Sequence, residues 1–138
     1  MKKLFTSTAT AVGGRQGRVT SESGSFDLPL AMPMPGADTK GASNPEELFA
    51  AGYAACFDSA MNIVAQQKNI QHEGSEITAH VSLNKGDAGY ILSVEMDVLI
   101  KGVEEDVARQ LVEEGHQVCP YSNATRGNMD VNFTVRTA

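Results

Sequence analysis

The sequence predicts an α+β fold, with antiparallel sheet packed around one central apolar helix. Three observations predict it. Three stretches alternate apolar and polar residues with period two, a capped run from Leu48 to Ala65 is apolar on nearly every face, and an amphipathic helical segment separates the last two strands. Residues 1–138 read as a single domain, without internal repeat, low-complexity tail or convincing linker.

The first strand is expected over Leu4–Val12, where Thr and Ser suit a pleated, half-exposed surface. Gly13-Gly14 ends it, and Val19–Leu30 reads as its continuation or partner. Pro and Gly punctuate Ala31–Gly41 too often for either ladder, so that stretch is loop. Asn44-Pro45-Glu46-Glu47 then announces a helix: Asn44 caps, Pro45 is pre-set for the first helical position, and Glu47 stands where a capping box places its carboxylate. A helix hydrophobic all round is buried all round, and one domain of this length has little to surround it with. A second subunit, most simply by two-fold symmetry, is expected to cover part of it.

Ile77, Ala79, Val81 and Leu83 share one face of the next strand, and Leu92, Val94, Met96, Val98 and Ile100 one face of the following strand. Lys85–Gly89 makes these two a hairpin. Glu104, Glu105 and Asp106 open an amphipathic helix with Val107, Ala108, Leu111 and Val112 inward. Met129, Val131, Phe133 and Val135 mark the last strand.

The formal charge of −6, with Lys and Arg scattered singly, argues against nucleic acid and anionic membrane as partners. No apolar run is read as approaching a membrane span, and Thr6, Ser7, Thr8 and Thr10 spoil the N-terminus as a signal peptide. A cytoplasmic location is expected. In a reducing compartment two cysteines are not a structural staple; inert hydrophobes, a redox pair or part of a metal site remain.

Cys56 lies inside the apolar helix, where burial raises a thiol's pKa unless a cation stands beside it. Arg15 and Arg18, in the turn Gly13–Arg18, are the candidate cations, and composition does not choose between them. Cys119 precedes Pro120 and reads as the N-cap of a short helix closed by Gly127, facing free backbone N–H groups that favour its thiolate. His116, three residues earlier, invites a zinc reading, but two ligands are too few and nothing near Cys56 completes four. No metal or cofactor is expected. His72 and His80 read as solvated surface.

The segments Asn44–Phe57 and Cys119–Asn128, with the Gly13-Gly14-Arg15 turn, resemble the organic hydroperoxide resistance (Ohr) branch of the Ohr/OsmC family from the first strand to the last residues. The resemblance implies an OsmC-like fold in an intertwined homodimer with sites at the subunit interface. It implies a cysteine-based peroxidase that reduces organic hydroperoxides, with dihydrolipoamide or a lipoylated protein as reductant. It places Cys56 at the peroxidatic cysteine, Cys119 at the resolving cysteine, Arg15 at the arginine that holds the thiolate, and Glu46 at the carboxylate that orients that arginine. Phe49, Tyr53 and Phe57 are candidate pocket residues, which the sequence does not separate from core. A non-catalytic module binding a small apolar ligand would explain the helix but leave Arg15, Cys56 and Cys119 without a task.

The resemblance raises a geometric question. Glu46 and Cys56 are ten residues apart, about 15 Å along an unbroken helix, whereas sharing one guanidinium needs them within roughly 8 Å. Either the chain is non-helical before about Gly52, or the two meet across a dimer interface. The second arrangement is the favoured expectation.

Overall fold

Of the hydroxyl-rich stretch expected as the first strand, only Ala9–Val12 (β1) pairs, and Leu4 and Phe5 lie exposed before it. The computed structural model describes the whole chain, Met1–Ala138, which divides into two units, Met1–Leu48 and Phe49–Ala138. In the first unit, Gly13 and Gly14 adopt positive φ (84° and 61°), the left-handed region that glycine enters without steric cost. They turn the chain into a single 3₁₀ turn, Gly14–Gln16, that carries Arg15. Gly17 allows the return, since a Cβ there would lie 1.8 Å from the Val12 carbonyl oxygen. The expected second stretch splits at Gly24 (φ 80°) into β2, Arg18–Ser21, and β3, Asp27–Pro29. The three form an antiparallel sheet in chain order.

Helix α1 runs unbroken over Pro45–Gln67, its first turn falling at the unit boundary. Asn44 caps it as expected, its Oδ1 accepting from the Glu47 N–H at 2.8 Å. The Glu47 carboxylate does not close the capping box; it accepts from the Ser43 hydroxyl at 2.8 Å. By length and hydropathy α1 is a candidate membrane span, longer and more apolar than the sequence reading allowed. It serves nonetheless as the core helix of the second unit. Tyr53, Phe57, Ala60, Met61, Val64 and Ala65 are buried at spacings of three, four and one, which is one stripe rather than the whole circumference. Ile63 remains 48% exposed in the single chain, so burial all round is not what one copy achieves.

That stripe packs with the inner row of β5 and with α2. Strands β4, Gly74–Gly86, and β5, Gly89–Lys101, form the expected hairpin, and Val94, Met96, Val98 and Ile100 are at most 1% exposed. Helix α2, Glu105–Val118, adds Ala108, Leu111 and Val112. It approaches α1 closely: a Cβ on Gly115 would stand 2.7 Å from Met61 Cγ. A short helix α3, Pro120–Thr125, precedes β6, Val131–Thr137. Here the sheet departs from expectation. β6 pairs β5 in parallel, Val94 opposite Val131, so the sheet is mixed rather than antiparallel throughout. The connection explains it, because α2 and α3 carry the chain back to the starting end of β5, as a parallel crossover requires.

Candidate active site

The expected site residues form two groups, one in each unit. In the first, Arg15 Nη1 and Nη2 donate to the Glu46 carboxylate at 2.8 and 2.6 Å, a two-pronged ion pair between the 3₁₀ turn and the first turn of α1. The hydrogen bond from Arg15 lowers the Glu46 pKa and outweighs the opposing effect of burial, and the same bond raises that of Arg15. The other candidate arginine is differently engaged: Arg18 Nε donates to Asp27 Oδ1 at 2.5 Å, both side chains being exposed.

In the second unit the two sulfurs meet at the head of α3. Cys119 is its N-cap, and its Sγ accepts from the Ser122 N–H at 3.5 Å. The Cys119 thiol lies 3.6 Å from Cys56 Sγ, and both cysteines are free. Closing a disulfide needs about 2.05 Å between sulfurs, a shift of well under one residue's length. The pair is asymmetric, since Cys119 has no exposed surface whereas Cys56 is half-buried. Burial pushes the Cys56 thiol up, and neighbouring Cys119 adds to that, while a hydrogen bond from the Tyr121 backbone N–H pulls it down. Among residues Phe49–Ala138, none of the groups acting on Cys56 is a cation. The Tyr121 donor leaves no mark in the sequence, where the Cys-Pro cap points to Cys119 alone.

An aromatic cluster stands beside the sulfurs. Phe49, Tyr53 and Tyr121 have ring centroids 5.6–6.1 Å apart. Gly52 makes room for it, because a Cβ there would fall 2.3 Å from the Tyr121 hydroxyl. Of the three candidate pocket residues, Tyr53 and Phe57 have no exposed surface in the single chain and sit in the core cluster. Phe49 keeps partial exposure, as does Tyr121, which the sequence reading did not single out.

His116 turns its Nδ1 to the Ser122 hydroxyl at 2.8 Å, not to a sulfur. His72 is not solvated surface either; it is part-buried, with Nε2 2.7 Å from Asn62 Oδ1. His80 is exposed, as expected, and pairs Asp97. A cavity of about 480 Å³ lined by residues including Thr6, Thr8, Ser21 and Phe26 lies within the first unit and contains no expected site residue. The unbroken α1 removes one of the two solutions to the spacing of Glu46 and Cys56, since the chain is already helical at Pro45.

The OsmC-like protein family model matches residues 36–134. The organic hydroperoxide resistance protein OhrA of Bacillus subtilis (strain 168) is 50% identical over 136 residues, covering 96% of each chain. The crystal structure of an organic hydroperoxide resistance protein from Elizabethkingia anophelis, with thiocyanate bound, superposes with a TM-score of 0.93 at 45% identity and full coverage of both chains. That of OhrB from Bacillus subtilis gives 0.90 at 45% identity, over 96% of this chain and 99% of the other.

Proposed function

The chain belongs to the OsmC-like family, in its organic hydroperoxide resistance branch, and from that premise we propose that it is a cysteine-based peroxidase for organic hydroperoxides. The observation that carries this reading is the pair of free sulfurs 3.6 Å apart, one reachable and one buried, each with a backbone N–H of the α3 head directed at it. The names of the relatives supply the substrate class.

The reaction divides into three steps. The Cys56 thiolate attacks the outer oxygen of the hydroperoxide; the S–O bond forms as the O–O bond breaks, and the alkoxide leaves as alcohol after taking a proton. Cys56 is then a sulfenic acid. The Cys119 sulfur attacks that of Cys56, the S–S bond forms, and hydroxide leaves and takes up the Cys119 proton as water. A dithiol, dihydrolipoamide or a lipoylated protein in our reading, returns two electrons by exchange and becomes a disulfide itself.

The first step needs a cation, because burial holds the Cys56 thiol up. Arg15 is the proposed one, held by Glu46, its guanidinium stabilising first the thiolate and then the developing alkoxide. Glu46 and Cys56 stand ten residues apart in one continuous helix, about 15 Å along the axis of a regular one. The Arg15–Glu46 pair of one copy is therefore proposed to serve Cys56 of a second copy in a homodimer. Partly exposed apolar surface at Phe49, packed against the Tyr121 ring, suits a hydrocarbon tail, and so alkyl and fatty-acid hydroperoxides over hydrogen peroxide. Two free thiols fit a cytoplasmic, reducing compartment.

Cysteine variants test the reading in a dithiol-coupled assay. Cys56→Ser is expected to abolish turnover. Cys119→Ser is expected to keep a single oxidation of Cys56 but lose disulfide formation. Turnover by Cys56→Ser would contradict the reading and leave the ligand-binding module to pursue.

A further inference from the structure

His116 takes no part in the three steps, yet it sits at the end of a buried chain of hydroxyls that leads to the resolving sulfur. Its Nδ1 lies 2.8 Å from Ser122 Oγ, and the Tyr53 hydroxyl lies 2.8 Å from the same oxygen. Tyr53 also reaches Thr125 Oγ1 at 3.3 Å, and the Thr125 hydroxyl donates to the Ser122 carbonyl at 3.2 Å. Tyr53 and Ser122 have no exposed surface and Thr125 has 2%. Burying three hydroxyls gains nothing over apolar packing unless their orientation matters. What they orient is Ser122, whose backbone N–H donates to Cys119 Sγ. One hydroxyl thus ties α1, α2 and α3 together at the residue that holds the resolving sulfur.

We propose that His116 is a positioning residue of the resolving step, fixing the Ser122 N–H on the Cys119 sulfur through the Ser122 hydroxyl. This rests on the peroxidase reading and adds a residue to it. Two proton arrangements satisfy the chain. With Nδ1 unprotonated, Tyr53 donates to Ser122 and Ser122 to Nδ1. With Nδ1 protonated, in the other neutral tautomer or in the imidazolium, Nδ1–H donates to Ser122, Ser122 to Tyr53, and Tyr53 to Thr125. Protonation of the ring selects the second arrangement. The groups facing His116 are the Arg126 guanidinium, which donates to the His116 carbonyl, the Tyr53 hydroxyl and the two thiols beyond Ser122; Phe133 closes the other side with its ring 5.0 Å away. Burial, with Arg126, lowers the His116 pKa, which sets its titration on the acid side of 6.5.

The test is rapid-mixing of the reduced full chain with cumene hydroperoxide, following Cys56 oxidation and disulfide formation as separate phases across pH 5–8. His116→Phe keeps a ring against Phe133 but loses the hydrogen bond; disulfide formation is expected to slow about tenfold while Cys56 oxidation is unchanged. His116→Asn can return a hydrogen bond to Ser122 without titrating, and is expected to resolve within about threefold of the natural rate. In the natural protein the pH profile of the resolving rate should carry an inflection in the His116 titration that is absent from both variants. Equal slowing of both phases, or none in either, overturns the proposal. If His116→Phe does not fold, Tyr53→Phe, which removes the other partner of Ser122, must slow the second phase alone. A natural protein that forms no disulfide at all would instead sink the peroxidase reading itself.

Discussion

At the scale of the residue, the site's chemistry is set by which protons the fold keeps and which it releases. Arg15 keeps Glu46 ionised below its ordinary 4.5, and Lys68 does the same for Glu114. The unfolded chain therefore binds more protons there, and the stability these carboxylates contribute is present above about pH 4.5 and lost below it. His116, lowered from 6.5, adds a loss of the same sign as pH falls through and below that value. Cys56, raised from 9.0 by burial, acts oppositely: its contribution is present below about pH 9.0 and lost as pH climbs through the folded value. The urea midpoint should climb from pH 4 to 7, plateau, and decline above 9, with Glu46→Gln flattening the acid limb. An acid limb unchanged in Glu46→Gln would show that the pair does not tie the 3₁₀ turn to α1. Arg15, Glu46, Cys56 and Cys119 stand out in the sequence through the resemblance, because their flanking motifs are long and specific. The Tyr121 N–H on Cys56 does not, because a backbone donor leaves no mark on the sequence beyond the Cys-Pro cap. Nor does the role of His116, where a three-residue spacing to Cys119 speaks of a metal while the ring faces Ser122.

At the scale of the element, period-two alternation located the hairpin β4–β5 and its inner row closely, because each apolar side chain there has one face to occupy. The direction of β6 was hidden, since parallel and antiparallel pairing leave the same alternation. Helix α1 is apolar all round over Leu48–Ala65, and the single chain buries one stripe of it, in keeping with a domain too short to surround such a helix. Met96 on β5 is fully buried within that stripe's packing, so Met96→Ala is expected to cost about 2–5 kcal/mol in urea unfolding. A cost below about 0.5 kcal/mol would mean the β5 row is not the centre of the core.

At the scale of the whole molecule, the proposed site draws on two copies, because Glu46 and Cys56 are ten residues apart in α1, about 15 Å along a regular helix. Mixing Arg15→Ala with Cys56→Ser, each inactive alone, should restore activity approaching half that of the natural protein in the mixed dimers that form. No recovery in verified mixed dimers would place Arg15 and Cys56 of each site in the same copy. Intact mass and free-thiol count decide whether Cys56 and Cys119 are a disulfide-forming peroxidase pair. The reduced protein is treated with one equivalent of cumene hydroperoxide, and in parallel with hydrogen peroxide. A fast loss of both thiols and of about 2 Da is expected with the organic peroxide, and a much slower loss with hydrogen peroxide. Survival of both thiols after the organic peroxide would contradict that pairing.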